Sequence, residues 1–199
     1  MCVTSTRLAA LGIKLMDGAR DAEGEITDPV DYCDGLMIAL LAQRPLHLRT
    51  FSLIRVGTHL PQVGEERRMI FEGPGSESGR PFEITVPEKL VPPLEYYLQE
   101  VRPKFTGADR NDRIWDSTKG RPLTPNTIAG IITERSRDAF GEPVNPHLFR
   151  HCAATTIAIL QLGRRDCSSQ WRFIRASEPL PSYTKRPSLT GRGVSDKCQ

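Results

Sequence analysis

The sequence predicts an α+β fold that is mostly helical and carries a small three-stranded antiparallel sheet. Three observations lead there. Long segments with apolar residues at helical spacing occupy the beginning and the end of the first 162 residues. Short segments of strand character lie between them, and the clearest, 81–86, alternates Phe82, Ile84 and Val86 with Glu83 and Thr85. The order is helices, strands, then helices, which differs from the regular alternation that builds a parallel α/β sheet.

The elements can be justified in turn. Residues 1–16 (MCVTSTRLAALGIKLM) have helical apolar spacing and are followed by the acidic linker DGARDAEGE. A helix that starts almost at Met1 reads as the last element of a larger unit. Asp28 and Pro29 supply a cap and a first-turn proline for a helix to about residue 43, with Tyr32, Leu36, Ile38, Leu40 and Leu41 as its buried body. Arg44-Pro45 interrupts it. A short helical piece, LHLRTFSLI, leads into strand-like segments near 52–56, 68–71 and 81–86. Residues 87–101 read as the next helix, its start restricted by Pro92 and Pro93, and RIWDS (113–117) as a short extended piece. Thr124-Pro125 opens an amphipathic helix through Phe140, and Asn145-Pro146 opens another through about residue 162. Residues 163–199 lose apolar periodicity and are rich in Arg, Ser, Pro and Gly, the composition of a disordered tail.

Bulk composition narrows the class without naming a partner. The 199 residues carry a net charge of only +3, but 8 Lys/Arg against 3 Asp/Glu fall in 164–199, so the positive excess is confined to the tail. Five scattered cysteines without CxxC spacing argue against a disulfide framework or a zinc cluster. The longest nearly unbroken apolar run, around 35–42, is too short to cross a bilayer, and no signal-peptide pattern opens the chain. By elimination, a soluble cytoplasmic protein with reduced thiols is expected.

The candidate chemistry lies in NPHLFRHCAATTIAI (145–159), where His147, Arg150 and His151 crowd the first turns of an apolar helix. That end of a helix dipole is already positive, so the cations there call for an anion. Arg44, at the end of another apolar helix, either caps carbonyls or reaches into a cleft. His147 and His151 have metal-ligand spacing, but no third ligand accompanies them, and Asp112 and Asp116 form no carboxylate cluster with them, so a metal-dependent hydrolase is disfavoured.

Taken together, DGLMIALLAQRPLHLRTFSLIRVG, RIWDSTKGRPLTPNTIAGII and NPHLFRHCAATTIAI resemble, in order and spacing, the catalytic domain of the tyrosine recombinases (phage integrases) over roughly 28–160. The resemblance implies a site-specific recombinase or integrase of a mobile element, acting on double-stranded DNA without metal or nucleotide cofactor. A tyrosine would attack a phosphodiester, giving a 3′-phosphotyrosyl intermediate that is then rejoined. Arg44 and Arg150 would clamp the scissile phosphate, His147 would handle a proton beside it, and His151 would support the same surface. Tyr183, 33 residues after Arg150, is the candidate nucleophile, and Trp171 lies near where the family has a histidine or tryptophan. The resemblance also implies assembly as a homo-oligomer on DNA. Arginines suit the clamp because a planar, permanently charged fork donates paired hydrogen bonds to phosphate oxygens.

The chain departs from the pattern in three places. Glu77, in SESGRP, stands where many members have a lysine acting as general acid. Residues 1–27 look like the linker helix and acidic linker from a core-binding domain that is missing, ahead of a catalytic domain at 28–162. Tyr183 lies in LPSYTKRP, unlike the family's histidine-tyrosine setting, and a shifted reading frame after about residue 160 would account for both that and the basic tail. The alternative to an active recombinase is therefore a non-catalytic DNA-binding remnant of an integrase.

Overall fold

The computed structural model describes residues 4–64, 66–72 and 81–145. Among these residues there are five α-helices and a three-stranded antiparallel sheet: α1 (Ser5–Gly18), α2 (Pro29–Gln43), α3 (Leu48–Ser52), β1 (Gln62–Val63), β2 (Glu66–Phe71), β3 (Phe82–Thr85), α4 (Val91–Tyr96) and α5 (Pro125–Phe140). The arrangement is compatible with the α+β expectation. The helix expected over 145–162 and the tail at 163–199 lie outside the described residues.

α2 is the axis of the domain. Asp28 caps it, its carboxylate accepting the backbone N–H groups of Val30 at 2.9 Å and Asp31 at 3.0 Å, and Pro29 sits in the first turn. Every residue from Tyr32 to Ala42 is buried, so this helix is covered on all sides, the placement expected of a helix apolar around its whole circumference. α1 crosses it at backbone contact. A Cβ built on Gly12 would lie 2.4 Å from the Gly35 carbonyl oxygen, and one on Gly35 2.5 Å from that of Gly12. A glycine inside a helix costs about 1 kcal/mol relative to alanine, a cost offset here by the close approach of the two helices. Leu8, Leu11 and Met16 of α1 consequently join the same core as Leu36, Met37 and Leu40.

The sheet has the order β1-β2-β3, with Arg68 opposite Thr85 and Phe71 opposite Phe82. Strand character at 68–71 and 81–86 agrees with β2 and β3. The segment 52–56 does not form a strand. Ser52 ends α3, Ile54 is buried in the core, and a turn with Gly57 at φ +85° follows. Its β-branched residues therefore serve packing, while Arg55 makes an isolated antiparallel bridge with Arg113. The first strand of the sheet instead lies at 62–63, where alternation is too short to stand out.

Residues 87–101 form one irregular helical segment, 3-10 at Glu88–Leu90, α-helical in α4, and a wider turn over Tyr97–Val101. It packs with RIWDS beneath α3. Trp115 is fully buried, stacks on Phe51 at 4.9 Å and donates its indole N–H to the Phe51 carbonyl at 3.0 Å. The Tyr97 hydroxyl donates to the Ile114 carbonyl at 2.8 Å. α5 starts at its expected cap, Thr124, and ends at Gly141 in the left-handed conformation.

Candidate phosphate-binding site

Arg44 is the C-cap residue of α2, and its backbone N–H bonds to the Leu40 carbonyl at 2.7 Å. Its side chain binds backbone carbonyls, the capping alternative the sequence allowed. Nη1 donates to the Gln43 carbonyl at 3.0 Å, capping the end of the helix, and Nε donates to the Thr85 carbonyl of β3 at 2.9 Å. The guanidinium is thereby anchored between the central helix and the edge of the sheet through neutral acceptors. Burial lowers its pKa, as expected for a guanidinium that has lost part of its hydration.

The other sequence-designated positions, His147, Arg150, His151, Trp171 and Tyr183, and Glu77, which falls between β2 and β3 in the sequence, lie outside the described residues. What the structure does describe is the approach to the first of them. The backbone N–H of Val144 donates to the buried Ser136 hydroxyl at 2.8 Å, and that hydroxyl donates to the Thr133 carbonyl at 3.0 Å. Val144 is itself buried. The chain is therefore fixed to α5 three residues before His147.

α5 is in turn tied to α2 by an ion pair that sequence reasoning missed. Nε and Nη2 of Arg135 donate to Oδ2 of Asp34 at 2.9 and 2.7 Å, and Nη2 also bonds Oδ1 of Asp31. Asp34 is only 4% exposed. Burial pushes its carboxyl up to about 6, although Arg135 pulls in the opposite direction. Arg135 itself is pulled down by burial, but Asp34 and Asp31 more than offset that, so its pKa is raised. Desolvation outweighs attraction at the more buried partner, as expected for a charge taken out of water. An acidic residue inside an otherwise apolar helical run was the available signal.

Several carboxylates near the sheet and the RIWDS segment are also engaged. Asp112 pairs with Arg55 at 3.1 Å, and Asp116 lies 3.1 Å from Arg102 while accepting the Asn111 amide at 3.0 Å. Arg67 pairs with Glu95, and Arg68 with Glu66 and Glu83. Among the described residues, no group of three His, Cys, Asp or Glu side chains could hold a metal ion, and no helix is long and apolar enough to cross a membrane.

No family model matches the chain. It is similar to the tyrosine recombinase XerD of Shewanella oneidensis, 26% identical over 159 residues, which is 74% of this chain and 51% of that protein. It is similar to XerD of Pseudomonas aeruginosa, 29% identical over 67% of this chain and 43% of that protein. XerD of Chlorobaculum tepidum is 34% identical over 76 residues, 34% of this chain and 25% of that protein. The chain spans about half the length, or less, of the curated relatives it matches. Through these three similarities the chain is a distant relative of the tyrosine recombinases.

Proposed function

We propose that this chain is the catalytic domain of a tyrosine recombinase or integrase, 28–162, which grips a phosphodiester of double-stranded DNA and cleaves and rejoins strands through a 3′-phosphotyrosyl bond. The observation that carries the reading is Arg44. It occupies the end of the most buried helix, held in place by carbonyls from two different elements, in the sequence context that resembles the family's first arginine motif. Arg150 is the second clamp and His147 the proton-handling group. Fixed donors of this kind act on charge that grows on the non-bridging oxygens, and each is worth about 3–4 kcal/mol in a preorganised site. Tyr183 supplies the attacking hydroxyl, with Trp171 near the phosphate and His151 on the same DNA-facing surface. Assembly as a homo-oligomer on DNA belongs to the same reading.

A second reading, a DNA-binding remnant without chemistry, is favoured by one specific feature. Glu77 stands where many family members have the lysine acid, and a carboxylate there repels phosphate. A nicked suicide duplex distinguishes the two. The active reading expects a covalent protein–DNA adduct that disappears in Tyr183→Phe and falls roughly 100-fold or more in Arg44→Ala. Binding that needs Arg44 but yields no adduct establishes the remnant. Absence of both sinks the recombinase reading altogether.

A further inference from the structure

Away from Arg44, two arginines are set side by side. Arg55 and Arg113 face each other across an antiparallel bridge flanked by the bonds Val56 N–H to Asp112 at 2.7 Å and Ile114 N–H to Ile54 at 3.0 Å. In that pattern the two residues form a pair not hydrogen-bonded to one another, the type in which the side chains stand closest, at a Cα separation of about 4.5 Å. Like charges placed directly opposite are destabilising. The backbone gives them no freedom to part. The Arg113 N–H bonds to the Asn111 side chain at 2.8 Å, and its carbonyl accepts Nε of Arg102 at 2.9 Å.

Arg67 and Arg68 of the sheet and Arg135 of α5 are neutralised within the fold. Arg113 differs: its Nη1 is buried and has no hydrogen-bond partner among the described residues. Arg55 has Asp112, but that pair is about half-exposed on both sides and so weakly held. Beside them stands His59, stacked on Phe71 at 5.3 Å. Its Nδ1 accepts the Arg55 backbone N–H at 3.0 Å, which leaves the proton of the neutral ring on Nε2, the nitrogen on the other side. Burial, then Arg55 and Arg113, hold its pKa below the usual value, and outweigh the opposing pull of Asp112 and Glu72. The imidazole is thus held in one orientation beside the Arg55 backbone, and in its neutral form it donates through Nε2.

We propose that Arg55, His59 and Arg113 form a second phosphate site, which takes a phosphodiester of the DNA backbone distinct from the one gripped by Arg44. The proposal rests on the DNA-binding reading above. Placement suits it. Arg44 is tethered at Thr85, opposite Arg68 in β2, whereas His59 abuts Phe71 and accepts the Ile70 N–H at 3.0 Å on the β1 side. That is roughly 10 Å along the strands and roughly 10 Å across them, so the two sites serve different phosphates.

The test is the salt dependence of duplex binding by the full chain, measured by fluorescence anisotropy. Arg113→Gln is expected to weaken binding to all sequences alike and to make the slope of log K against log salt shallower by about 0.9, with Arg113→Lys restoring most of it. A loss of packing alone would leave the slope unchanged. Arg55→Gln gives the same readout should Arg113→Gln fail to fold. Unchanged slopes in the folded variants overturn the site while leaving the recombinase reading standing. If the wild-type chain binds no duplex, the DNA reading has failed and inorganic phosphate becomes the probe. A nitrogen NMR shift of the His59 ring on phosphate addition, lost in Arg113→Gln, then assigns the same site to free phosphate. No shift overturns it.

Discussion

The Asp34–Arg135 contact and the Arg55–Arg113 bridge place charge in opposite ways. In the first, opposite charges from α2 and α5 meet between the helices, and a 4%-exposed carboxylate is answered by a guanidinium on the next element. In the second, a backbone bridge sets Arg55 and Arg113 opposite each other, the Nη1 of Arg113 is buried, and of the two only Arg55 has a carboxylate partner among the described residues. The first arrangement is complete within the fold. The second leaves the Arg113 Nη1 without a hydrogen-bond partner among the described residues, and the proposed phosphate site would turn that difference into one between a charge that positions elements and one that meets a ligand.

The largest effect should come from breaking the internal pair. Arg135→Ala leaves Asp34 buried without its partner and is expected to cost about 3–5 kcal/mol at neutral pH, measured by urea unfolding. Replacing both residues, as in Asp34→Leu with Arg135→Met, should cost far less, because neither charge then has to be desolvated. Equal losses in the single and double variants would show that the contact acts through packing and not through charge.

Next in size is the pH dependence of the same pair. The folded-state pKa of Asp34, about 6, lies above its ordinary value of 3.8, so the folded chain holds this proton more tightly than the unfolded one. Its contribution to stability is therefore fully present below about pH 4 and lost as pH rises through 6. By linkage the change amounts to roughly 3 kcal/mol. Asp34→Asn should flatten that part of the stability profile relative to wild type. Parallel profiles for the two proteins would remove the buried carboxylate as its cause.

The smallest effect belongs to the surface bridge. Arg113→Glu replaces a like-charge cross-strand pair with an opposite one and should raise stability by about 0.2–1 kcal/mol. The same change should weaken duplex binding. A variant less stable than wild type would mean that the arginine side chains already avoid each other in the free protein.

Much of the fold was legible because its signals are local. Asp28-Pro29 and Thr124-Pro125 start α2 and α5 where a cap followed by a proline should, since capping depends only on residues within one turn. The segment 52–56 misled for the complementary reason. Ile54 and Val56 have strand propensity, but Ile54 is taken into the core under α3 before a ladder can form. At the candidate site, Arg44 was legible from its oddity at the end of an apolar helix. The partners that orient it were not, because Thr85 contributes only its carbonyl and lies 41 residues away.

The sequence alone determined the starts of α2 and α5, the two clearer strands and the motif order that resembles the tyrosine recombinases, since each is written in neighbouring residues or in simple spacing. Only the tertiary structure decided which charges are spent inside. Asp34 and Arg135 are 101 residues apart, and Arg55 and Arg113 face each other only because one bridge aligns them. Whether a charge is satisfied depends on the distance and burial of its partner, and neither quantity exists until the chain has folded.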